Sequence, residues 1–216
     1  MAKPLPCILT ISRQLGSGGA FIGHQLACRL GVLCADREIL VRAARQFQVT
    51  EGMVEDREES VTPLWLSLLE SFSCGSLAGT YSPPPLPLPT DAELRTAEAD
   101  VISRIAQTHS AVIVGRGGFH VLRTHPRHIS VFLHADKDVR RQRLHELYGL
   151  SNREAEVEIE RRDCARARYH RLLSGRDWAD ARQYHLCLDT SALGIDPTIE
   201  VLLACWRSRF GMPGDG

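Results

Sequence analysis

The stretch Thr10 to Gly31, TISRQLGSGGAFIGHQLACRLG, runs from an apolar segment through a glycine cluster into a helical pattern. That order constrains the fold more than any other part of the chain. Glycines between a strand and a helix let the backbone approach an anion, and the free amides of the helix start face it with the positive end of the helix dipole. A triphosphate cradle ordinarily follows its last glycines with Lys and then Ser or Thr. Here Gly19, Ala20 and Phe21 occupy those places. Two readings of Gly16, Ser17, Gly18 and Gly19 therefore stand side by side, a phosphate loop and a plain strand-to-helix turn. Arg13, three residues ahead of Gly16, is the candidate replacement for the absent lysine.

The rest of the chain supports an α/β architecture. Short apolar runs at 7–11, 32–35, 111–114, 129–133 and 185–189 alternate with longer helical patterns, as strand-helix-strand units around a parallel sheet do. Ile22, Leu26 and Leu30 recur every four residues and mark the face of the first helix that packs on the sheet. Capping boxes at Thr90 to Glu93 and Ser151 to Glu154 predict two further helix starts. Asp196 before Pro197 predicts the start of a last helix that runs to about Phe210. Residues 71–90 are rich in Gly, Ser and Pro and read as a surface loop. At 216 residues, a single domain over 1–216 is expected.

Composition narrows the function classes. Lys plus Arg and Asp plus Glu are both 26, so no net positive field directs the chain to nucleic acid or an anionic membrane. Seven Cys without a Cys-x-x-Cys pair are expected to be reduced thiols in a cytosolic protein. No apolar run approaches the roughly 18 residues that a membrane span needs. The nine His show no metal-binding spacing, and no metal ligand is assigned. Trp65, Trp178 and Trp206 read as core or interface residues.

Local basic sites remain possible. Arg116 follows the 111–114 run, at the edge of the sheet where open α/β folds bind ligands, and is either a ligand contact or half of a buried ion pair. Asp36 and Arg37 hold the equivalent place after the 32–35 run, where a lone Asp can also simply cap a helix. Residues 152–176 start acidic and end rich in Arg, including Arg161, Arg162, Arg166, Arg168 and Arg171. The helix dipole favours that order, but Arg162 and Arg166 also share one helix face, and guanidinium groups grip phosphate oxygens in a fork. Arg140 and Arg143 add two more.

Taken together, ISRQLGSGG, ADREIL, VIVGRGG, VFLHAD with the arginines behind it, the D..RA.YH pattern and DW.D...YHLCLDTS.LGID resemble the cytidylate kinase-like family and, more distantly, bacterial cytidylate kinase. The resemblance implies a P-loop NTPase-type three-layer fold, with a five-stranded parallel sheet, helices on both faces, and a small helical acceptor and lid insertion at about 150–178. It implies ATP and Mg2+ as donor and a nucleoside monophosphate, CMP or dCMP first among them, as acceptor, in the cytoplasm. Gly16, Ser17, Gly18 and Gly19 would then hold donor phosphates, with Arg140 and Arg143 on the same side. Asp36, Arg37, Arg116 and Asp163 would serve the acceptor, and Arg13, Arg162 and Arg166 would meet the charge of the transition state. Gly19 stands at the Lys of cytidylate kinase, Gly117 stands at the Asp after its Gly-Arg pair, and Ala20-Phe21 replaces polar residues. A regulatory nucleotide binder on the same fold is the alternative reading. A third is an interaction protein that uses the Pro-rich loop as a ligand.

Overall fold

The computed structural model describes residues 5–36 and 91–211, with the side chains of 91–94 excepted. Arg37, Trp65, the Pro-rich segment 71–90 and the capping residue Thr90 lie outside the described residues. Numbered in order among those described, the elements are β1 (Ile8–Arg13), α1 (Gly19–Leu30), β2 (Leu33–Ala35), α2 (Asp91–Thr108), β3 (Ala111–Val114), α3 (Gly118–Val121), β4 (His128–His134), α4 (Lys137–Tyr148), α5 (Asn152–Ser174), β5 (Leu186–Asp189), α6 (Thr190–Leu193) and α7 (Ile195–Phe210). A 3-10 turn at Ala181–Gln183 precedes β5.

The five strands form one all-parallel sheet in the order β2-β3-β1-β4-β5. β1 is central: Ile8 pairs with Ala111 on one side and His128 on the other, and Arg13 with Leu133. The period of two along each strand divides the core. Ile8, Ala111 and Ile113 face one way, into a layer with Val101, Ile102 and Ile105 of α2. Leu9, Ile11, Val112, Val114, Ile129, Val131 and Leu133 face the other way, against Ile22 and Leu26 of α1 and Ile199, Leu202 and Trp206 of α7. Helices therefore cover both faces. Each such large apolar side chain contributes about 1.5–3 kcal/mol on burial.

Gly23 lets α1 lie close on the sheet, since a Cβ there would stand 2.6 Å from Val114 Cγ2. Helix α5 opens with the expected capping box: the Ser151 hydroxyl accepts the Glu154 N–H, and the Glu154 carboxylate accepts the Ser151 N–H at 2.9 Å. The start of α7 differs from expectation. Gly194 is its N-cap, and Asp196 and Pro197 lie inside the first turn. Proline is tolerated there because the first turn's N–H groups have no intrahelical acceptor. Trp178 and Trp206 are buried, Trp206 at 1 % exposure in the α1–α7 layer. No described helix is long and apolar enough to cross a membrane.

Candidate phosphate site

The loop between β1 and α1 is shaped by its glycines. Gly16 and Gly18 have φ of 80° and 79°, in the left-handed region that disfavours side chains. Contacts exclude a Cβ as well: at Gly16 it would stand 2.8 Å from Arg140 Cβ, at Gly18 it would run into Ile195 Cδ1, and at Gly19 it would stand 2.7 Å from Arg13 Cβ. Gly18 is the N-cap of α1 and supplies no side chain to satisfy the helix amides. The loop thus offers N–H donors and no carboxylate, which is the donor set for phosphate oxygens.

Its far side is held by side chains. Leu15 N–H donates to Asp163 Oδ1 at 2.9 Å. Arg140 donates to Leu15 O and pairs with Asp163 Oδ2 at 2.6 Å, and Arg166 pairs with Asp163 Oδ1 at 2.9 Å. Arg143 donates to Gly16 O at 3.2 Å and to Thr190 Oγ1 and O at 2.9 Å each. Thr190 in turn donates to Ser17 O at 2.8 Å. Arg140, Arg143, Asp163 and Arg166 are therefore brought together around the loop, where their contacts brace its backbone. Arg162 stands apart from this cluster, donating to Glu158 at 2.7 Å beside Arg161. Hydrogen bonds from those two arginines hold the Glu158 carboxyl down at about 2.

Arg13 packs its Cβ and Cγ beneath Gly19 and carries its guanidinium to Gly115, the first residue after β3. Gly115 has φ 85°, and any Cβ there would strike Arg13 Nη1. Arg13 thus links the glycine loop to the turn that bears Arg116. Arg116, at φ 52°, is the one non-glycine residue with positive φ among those described. Its Nη1 lies 3.4 Å from Oε1 of Glu98, which is 0 % exposed on α2. The Tyr169 hydroxyl of α5 donates toward Glu98 Oε2 and Arg116 O at 3.4 Å each, and burial, followed by the charge of Glu98, pushes that phenol up to about 12. Of the two readings of Arg116, the buried ion pair is present.

Asp36 directly follows β2 at the same sheet edge, half-buried. Burial first and the Asp36 charge second push the neighbouring Cys34 thiol up to about 11. Glu98, Tyr169 and Gly115 were not singled out by sequence reasoning. Glu98 carried a signal: it sits three and four residues before Val101 and Ile102 on an otherwise apolar helix face, where a carboxylate needs a partner.

The residues fit a polyphosphate better than a metal. Ala20 and Phe21 give the first turn of α1 no hydroxyl, and the Ser17 hydroxyl donates to Gln14 O. Among the described residues no group of three or more His, Cys, Asp or Glu is placed to hold a metal ion. Beside Leu15, a groove of about 690 Å³ opens between α4 and α5, lined by Leu144, Tyr148, Val157, Arg162 and Arg166.

A central β1 that ends in a glycine loop capping the next helix, within a parallel sheet of this order, defines the class of P-loop kinase folds. The cytidylate kinase-like family matches residues 8–192, and the chain belongs to that family. Among solved structures it is similar to an uncharacterized protein from Eubacterium ventriosum ATCC 27560, at 22 % identity and TM-score 0.70, covering 94 % of this chain and 99 % of that one. It is also similar to a gluconokinase from Sinorhizobium meliloti 1021, at 16 % identity and TM-score 0.50, covering 95 % and 94 %. No curated protein matches it significantly.

Proposed function

We propose that the chain is a single cytidylate kinase-like domain that transfers the γ-phosphoryl group of ATP to a nucleoside monophosphate, CMP or dCMP first among them. The observation that carries the reading is the glycine loop, whose three Cβ-excluding positions leave α1 amides free for phosphate while Arg13 spans from the loop to the acceptor turn. An acceptor phosphate oxygen forms the new bond to the γ-phosphorus, and ADP departs with the electron pair of the broken bond. Magnesium bound with the nucleotide would supply charge neutralisation. The protein's share is alignment and a fixed field of N–H dipoles and guanidinium charge. In this reading Arg13 meets the transferring group, Asp36 and Arg37 serve the acceptor, and the α4–α5 hairpin is the lid. The groove beside Leu15 takes the donor base, with Arg162 and Arg166 at its rim. The expected compartment is the cytoplasm.

A second reading rests on Ala20 and Phe21. Both are exposed in the first turn of α1, Phe21 at 55 %, where a kinase of this class has polar side chains. A regulatory protein that binds nucleotide without transferring phosphate would keep the loop and lose those groups. ATP consumption with magnesium against all common nucleoside monophosphates separates the two. Turnover with a cytidine monophosphate supports the kinase. A thermal shift with ATP but no turnover with any acceptor supports the regulatory protein, and no shift at millimolar ATP contradicts both.

A further inference from the structure

A second polar crevice lies away from the glycine loop. It measures about 240 Å³ and is floored by Ser130 and His128 of β4, with His120, Arg123, Arg176 and His185 among the residues around it. Its position follows from strand register. Ser130 pairs with Thr10 and His128 with Ile8, whereas the glycine loop follows Arg13 at the other end of β1. At about 3.3 Å per residue, the floor lies roughly 10–16 Å down the strand from Arg13. Ser130 and His128 also alternate with Ile129 and Val131, which face α1 and α7, so the crevice opens on the opposite side of the sheet.

Its lining is cationic and unbalanced. Arg123, Arg176 and Arg182 border it, and no Asp or Glu is among the lining residues. Arg182 is neutralised by a two-point pair with Asp180 at 2.9 and 3.0 Å. Arg123 and Arg176 form no ion pair among the described residues, though the Arg176 charge also acts on Asp180, and both act on His120: burial first, then those two charges, lower its pKa. His120 Nε2 is buried with no hydrogen-bond partner among the described residues. Ser130 N–H donates to His185 Nδ1 at 2.9 Å, which fixes the proton of the neutral ring on Nε2 and leaves that N–H as a donor. The crevice therefore combines guanidinium charge and imidazole with no acidic residue in its lining, while the Ser130 hydroxyl is held by His185 at 3.1 Å.

We infer that this crevice binds a small tetrahedral oxyanion, phosphate or the phosphoryl end of a phosphomonoester, independently of the glycine loop. At about 240 Å³ the crevice is below the roughly 300 Å³ at which pockets for drug-sized ligands begin, a size that suits a small anion. Guanidinium groups suit phosphate because their N–H forks match its oxygens and their charge survives at every physiological pH.

Inorganic phosphate is the probe, titrated into the full chain with His120 and His185 followed by NMR, at constant ionic strength set with chloride. Phosphate and sulfate are expected to shift both rings saturably, in wild type and equally in Gly18→Val, which blocks the glycine loop. The double variant Arg123→Ala/Arg176→Ala is expected to weaken that response at least tenfold while the ATP thermal shift of the wild type persists. Shifts that chloride reproduces, an unchanged response in the double variant, or no response at all would overturn the inference. Should Gly18→Val not fold, the double variant in the wild-type loop decides alone. Loss of the ATP response with the histidine response intact would count against the kinase reading and leave this site standing.

Discussion

Asp163, in the middle of α5, accepts the backbone N–H of Leu15 at 2.9 Å, one residue before the first glycine of the loop. The same carboxylate pairs with Arg140 at 2.6 Å and Arg166 at 2.9 Å, so one side chain ties α5, the α4 arginine and the loop together. Asp163→Ala is expected to destabilise the protein by about 3 kcal/mol, because it strands Arg140, whose side chain is 9 % exposed, without its partner. It should also weaken ATP binding by freeing the loop backbone. Urea denaturation and a nucleotide titration measure both. Unchanged stability would show that the three contacts are dispensable.

Arg116 and Glu98 form the second coupled pair. Arg116→Ala removes the guanidinium that stands 3.4 Å from a fully buried carboxylate, an expected cost of about 3 kcal/mol. Adding Glu98→Gln should return much of that stability, since the neutral amide needs no counter-charge. If Arg116 also holds acceptor phosphate, the double variant folds but its KM for the nucleoside monophosphate stays raised while its affinity for ATP is normal. A double variant with wild-type KM makes Arg116 a structural residue only.

Two histidines give the fold an acid limit. His128, 3 % exposed with its Nε2 2.8 Å from Thr10 Oγ1, and His170, 5 % exposed among Phe119 and Trp178, both have pKa lowered to about 4, chiefly by burial. The unfolded chain binds protons on these rings near pH 6.5 and the folded chain only near 4. Stability is therefore fully present above about pH 6.5 and declines as pH falls toward 4, by about 3 kcal/mol per histidine at most. Urea midpoints between pH 4 and 7.5 should show this slope, and His128→Gln should reduce it. A midpoint flat across that window contradicts the account.

Much of this was legible in the chain. Apolar runs named all five strands to within two residues at either end, because strands buried on both faces are nearly continuous in apolar residues. The glycine loop showed its place for a related reason: glycines between a strand and a helical period have few other uses. The partners of charged residues were not legible. Asp163 reaches Leu15 across 148 positions, and Glu98 reaches Arg116 from a helix whose packing only the folded sheet defines. Spacing along one helix exposes neighbours such as Arg162 and Glu158, but says nothing about which guanidinium will turn inward. The N-cap of α7 was misplaced for a local reason: Asp196-Pro197 matches the usual start signal, yet Gly194, at φ 85°, had already begun the helix.

The central claim is that charge displaced from the loop lysine resides on Arg13, and the kinetics of Arg13→Ala test it most directly. Arg13 runs from beneath Gly19 to Gly115, between the two halves of the proposed reaction. Interactions made chiefly in the transition state lower kcat when removed and leave ground-state binding nearly intact. With ATP, magnesium and the best monophosphate acceptor, Arg13→Ala is expected to lower kcat by roughly 100-fold or more, with ATP affinity changed by less than about threefold. Arg13→Lys should recover only part of the rate, since a point charge does not reproduce the fork. An active wild type whose kcat is unchanged in Arg13→Ala would contradict the account.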